Sequence, residues 1–148
     1  METTTGNSTY PGTLATPSDV LRLANEYHQA AVALAGLGRR GDPVSRAPYR
    51  MAAIHAVELY LNAYLQNAGH EPSRIRGLQH NMAARTDLCK ASGLVLRKRT
   101  TAHLRAVAAN REYLVTRYGP ELTSTLSQIN RLAATLAEVA ARVCAVVR

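Results

Sequence analysis

Metal-free acid–base cleavage of a phosphodiester needs a group that exchanges a proton near neutral pH and a fixed cation beside the phosphorus. Histidine and arginine meet those two needs. The segment SRIRGLQHN places Arg76 four and Arg74 six residues before His80. A second pair, Arg97 and His103, repeats the six-residue spacing of Arg74 and His80. Arginine is abundant enough for either pair to arise by chance, and a loop arginine beside a helix-capping histidine is the plainer reading. Upstream, His55, Glu58, Asn62 and Gln66 recur at intervals of three, four and four, one narrow polar stripe on a helix that is otherwise apolar nearly all round. A carboxylate on such a helix needs a partner. Glu58 is therefore expected either to pair with a basic side chain across the bundle, Arg111 foremost, or to belong to a site.

Other chemistries find less support. The five histidines lack the spacing of a closed metal site, since His55 and Glu58 supply at most two ligands. No G-x-S-x-G turn is present. Cys89 and Cys144 lie in apolar helical patterns and are expected as buried, reduced thiols. The glycines of GLGRRGDPV follow no strand, which argues against a phosphate-cradling loop. No metal or cofactor is expected.

The elements that must position these residues are helices. Residues 1–16 are rich in Thr, Ser, Gly and Pro and read as a disordered tail, leaving 17–148 as one domain. The first helix opens at Thr16, Pro17 and Asp19, with Val20, Ala24, Tyr27, Ala31 and Leu34 as its inner stripe. The second, the central one, is expected over about Ser45–Asn67. GHEPSRIRG reads as a loop, followed by a short helix over about Leu78–Ala91. A fourth helix, Thr100–Tyr118, carries Leu104, Val107, Arg111, Leu114 and Tyr118 on its inner stripe. The fifth, from Leu122 to Val147, is the most regular. Its apolar seam is long enough to zip against a second copy, so a homodimer is expected. No period-two alternation occurs, so the fold class is all-α: an antiparallel helical bundle of about five helices.

Charge adds a direction. The chain of 148 residues carries a net charge of +8, and ten basic residues between Arg74 and Arg117 face only Asp87 and Glu112 there. The rest of the chain is neutral. Such a field favours an anionic partner, nucleic acid first, with Arg85, Arg97, Lys98 and Arg99 as contacts. No apolar run approaches a membrane span and no secretory leader is visible, so a cytoplasmic location is expected.

Three segments together resemble the HEPN (higher eukaryotes and prokaryotes nucleotide-binding) family. AVELYLNAYLQNAG at 56–69 resembles its "A-x-E-x-x-x-K-A-x-L" helix, GLQHNMAAR at 77–85 its "G-H-D-L" element, and ANREYLVTRYGP at 109–120 its helix ending in "R-Y". Asn62 stands where many relatives have Lys, Asn81-Met82 replaces Asp-Leu, and apolar Ile75 follows Arg74 where the family's ribonucleases carry a polar residue. The resemblance implies a HEPN-like bundle, an RNA-associated activity and a homodimer whose two Arg/His sets line a shared cleft. Two functions follow from it. One is a non-catalytic RNA-binding, partner or scaffold module. The other is a metal-independent endoribonuclease, a toxin or defence effector, with His80 in acid–base work, Arg76 or Arg74 on the phosphate, and Glu58 and Asn62 orienting. A nucleotidyltransferase-like antitoxin would be the protein partner.

Overall fold

The computed structural model describes residues 9–148, and these are all-α, with no strand among them. Seven α-helices follow in order: α1 (Pro17–Ala35), α2 (Ala47–Asn67), α3 (Pro72–Gly77), α4 (Met82–Ala91), α5 (Lys98–Ala109), α6 (Glu112–Tyr118) and α7 (Ile129–Cys144). Single 3-10 stretches, Pro43–Arg46 and Pro120–Thr125, precede α2 and α7. No described helix is long and apolar enough to cross a membrane.

α2 is the axis of the bundle. Ala53, Ala56, Leu61, Ala63 and Leu65 are wholly buried, and its neighbours are α1, α7, α6 and α4. The polar stripe emerges as the spacing predicts: His55, Glu58, Asn62 and Gln66 are half-buried among buried residues. α1 opens with the expected capping box, Asp19 N–H donating to Thr16 Oγ1 and Thr16 N–H to Asp19 Oδ2. It runs antiparallel to α2, as the pairings of Ala15 with Gln66 and of Asn25 and His28 with Tyr60 show. The pairs Asp87–Arg105 and Lys90–Thr101 set α4 against α5, and His103–Thr135 and Thr100–Glu138 set α5 against α7, again antiparallel.

Three boundaries differ from the sequence expectation. The GHEPSRIRG segment contains α3, a short helix after Glu71 with Pro72 in its first turn, and α4 starts only at Asn81, whose side chain accepts from Ala84 N–H. The expected helix 100–118 breaks at Arg111, which takes a left-handed φ of +50°. That break turns Glu112 into the core, where it is fully buried and takes a hydrogen bond from Arg50 Nη1 at 3.2 Å. Arg111 itself is at the surface rather than on the inner stripe. The last helix begins at Ile129, not Leu122, because Thr123 and Thr125 turn their hydroxyls onto the carbonyls of Pro120 and Leu122 and so compete with helical pairing.

Of the expected tail, residues 1–8 lie outside the described residues, while Tyr10–Ala15 form turns packed against α2 and α3. The seam of α7 is spent inside the chain: Val139, Val143 and Val147 are buried, and Val146 stays exposed.

Candidate functional site

The residues from α2 and from the α3–α4 connection meet at one cleft of about 780 Å³. Its wall is apolar, from Val20 and Leu23 on α1, Leu59 on α2 and Ile75 on α3. Its polar lining comes from Glu58, Asn62, Gln66, Arg76, Gln79 and His80, with Arg85 at the back. The N-terminal turn borders it through Tyr10, over whose ring the Arg76 guanidinium sits at 4.3 Å.

His80 is placed by a local device. Gln79 just before it has a left-handed φ of +52°, a conformation that a non-glycine residue adopts only when its surroundings hold it. Arg85 does the holding: its Nη2 donates to the Gln79 carbonyl at 2.8 Å and to that of Ile75 at 3.5 Å, and its Nε to Asn62 Oδ1 at 2.7 Å. So fixed, His80 Nδ1 lies 3.3 Å from Glu58 Oε1, and its ring stacks on Tyr113 of α6, centroids 4.7 Å apart. The His80 side chain is 45% exposed and that of Glu58 13%, so the pair stands at the mouth of the cleft. A neutral imidazole donating Nδ1–H to the carboxylate leaves Nε2 free to accept a proton, a histidine oriented by an acid beside an arginine.

The cleft thus gathers Glu58, Asn62, Arg76 and His80, and Arg74, exposed on α3, is absent from its lining. Arg85, read in the sequence as a nucleic-acid contact, is only 1% exposed. Burial pulls its pKa down while neighbouring Glu58 favours the charge, and Nη1 has no partner among the described residues. Arg97, Lys98 and Arg99 are exposed at the start of α5. Glu58 pairs with His80, not Arg111.

The alternative Arg97–His103 pair is taken apart. His103 is buried between Thr135 Oγ1 at 2.7 Å and Ser127 Oγ at 2.9 Å, and Ser127 Oγ in turn donates to Glu112. Burial, with Arg131 and Arg50 nearby, pushes the His103 pKa down to about 4. Cys89 is buried as expected, its thiol pushed up to about 12 by burial, whereas Cys144 is exposed. No cluster of three or more metal-ligating side chains occurs among the described residues. Sequence reasoning missed Tyr113, Gln79 and Tyr10. Only an aromatic residue inside the RxY-like segment hinted at the first, and no pattern signals a left-handed glutamine.

No family model, curated protein or solved structure matches this chain.

Proposed function

We propose that the protein is an RNA-binding module whose cleft receives one nucleotide of a single strand while its basic face follows the backbone. The observation that carries this reading is the composition of the cleft. An apolar wall suited to a base faces a rim with Arg76 and His80 suited to a phosphate, in a volume usual for small-ligand pockets. Nine of the ten basic residues between Arg74 and Arg117 are exposed, which supplies the surrounding field. Leu23 is 48% exposed on the cleft wall, so Leu23→Glu places a carboxylate there without disturbing the core. In fluorescence anisotropy with a labelled single-stranded RNA, that variant should lose at least tenfold in affinity; wild-type affinity in it would refute the cleft as the binding site.

The Glu58–His80 contact favours a second reading, metal-independent cleavage. The 2′-hydroxyl oxygen attacks phosphorus, its proton passes to His80 Nε2, and the 5′-oxygen leaves with a proton from water. The products are a 2′,3′-cyclic phosphate and a 5′-hydroxyl, with Arg76 opposite the developing charge. Cleavage in chelator that vanishes in His80→Ala would establish it.

Self-association belongs to the same proposal on a changed basis, since α7 spends its valines internally. Tyr27 on α1 and Met51 on α2 remain exposed, and Tyr27 meets His55, one turn beyond Met51, edge-on at 4.4 Å. Light scattering should return twice 16.0 kDa for the wild type and a single 16.0 kDa chain for Met51→Glu.

A further inference from the structure

His80 is a partition as well as a rim. On its far side lies a second hollow of about 460 Å³, between the α3–α4 connection, the end of α5 and the start of α6. Arg105 and Arg111 both line it, as do Asn81 and the stacked His80 and Tyr113. Ala108 and Ala109 are also in its lining and keep it open. Arg105 shares its guanidinium with Asp87, and Arg111 has no carboxylate partner among the described residues. Asn81 spends its side-chain oxygen on the α4 N-terminus, so its amide nitrogen remains to donate.

Backbone conformation singles out the same place. Among the described residues, Gln79 and Arg111 are the two non-glycine residues with left-handed φ, and both line this hollow. Arginine has no intrinsic preference for that region, and glycine would occupy it without steric cost. The strain at Arg111 projects a guanidinium into the hollow from a helix break. Strained residues that persist at a concave, charged surface point to a ligand rather than to stability.

We propose that this hollow is a second subsite for the same strand, taking a backbone phosphate of single-stranded RNA between Arg105 and Arg111. The neighbouring base lies against the aromatic step of His80 and Tyr113, and the strand crosses that step into the cleft. The inference rests on the RNA-binding reading and adds to it a path and a polarity of contacts: phosphate on the α5–α6 side, base on the α1–α2 side.

The test uses the full chain, a labelled ten-nucleotide single-stranded RNA, and three variants. Arg105→Gln with Arg111→Gln should weaken binding at least tenfold and reduce the slope of log affinity against log salt by about 1.4, about 0.7 for each lost phosphate contact. Arg111→Gly should weaken binding while raising Tm by about 2–4 °C through relief of the left-handed strain, which keeps the test decisive even where the double variant unfolds. Unchanged affinity and slope in these variants, with Leu23→Glu still abolishing binding, would overturn the second subsite and leave the cleft intact. A wild-type protein that binds no RNA at low salt would overturn both.

Discussion

At 1% exposure the Arg85 side chain is out of reach of any strand, yet three of its hydrogen bonds converge on the elements that place His80. Its planar fork joins Asn62 on α2 to two carbonyls of the α3–α4 connection, a geometry that a lysine ammonium on a flexible stem does not reproduce. Arg85→Lys should therefore lower stability by about 2–3 kcal/mol in urea unfolding, from carbonyls and an amide left without donors. It should weaken RNA binding through the position of His80 while leaving the salt slope as it is, because no phosphate contact is lost. A reduced slope would show instead that the guanidinium reaches the strand. The pairing of Glu58 with a neighbour was legible from the sequence, since a carboxylate on a nearly all-apolar helix had to find one. Arg85 was not, because a basic residue on a short helix reads as surface unless the contacts that bury it are known.

Between elements, the buried chain Arg50–Glu112–Ser127–His103–Thr135 ties α2, α6, the turn before α7, α5 and α7 into one polar network. A histidine whose folded pKa lies near 4 stays neutral in the native state while its unfolded counterpart takes up a proton below about 6.5. The unfolded state then binds more protons as pH falls, so stability present above about pH 6.5 declines toward pH 4, by about 3 kcal/mol in all. His28 and His55 are shifted in the same direction by burial, so the comparison has to be made against a variant. Tm measured from pH 7.5 to 4.5 should fall more steeply in the wild type than in His103→Gln, and parallel curves would sink the assignment. The network also marks where sequence periodicity ceased to inform. Helical spacing runs on through Arg111 and through Leu122–Gln128, and only the tertiary demand to bury Glu112 against Arg50 and Ser127 explains both interruptions. By contrast, α1, α2 and the body of α7 were legible because capping residues and an apolar face agreed at each.

For the molecule as a whole, the all-α class followed from unbroken helical periodicity, but the sharing of surface between site and scaffold did not. The segment 74–117 carries the chain's whole net charge, and the fold spreads it over α3, α5 and α6 rather than one patch. Arg76 lies at the cleft, Arg105 and Arg111 at the second hollow, and Arg97, Lys98 and Arg99 at the opposite end of α5. From Lys98 to Arg105 the helix makes about two turns, roughly 10 Å, so the two groups are separate contacts along one face rather than a single cluster. The remote trio should accordingly act through counterion release alone. Changing Arg97, Lys98 and Arg99 together to Gln should flatten the salt dependence of RNA affinity by up to about 2 log units per decade of salt, about 0.7 for each contacted phosphate. Affinity for a ten-nucleotide strand should fall while that for a trinucleotide, too short to span α5, stays unchanged. Equal losses for both lengths would place the trio at the cleft's own ligand, and no loss for either would confine the RNA path to the two hollows on either side of His80.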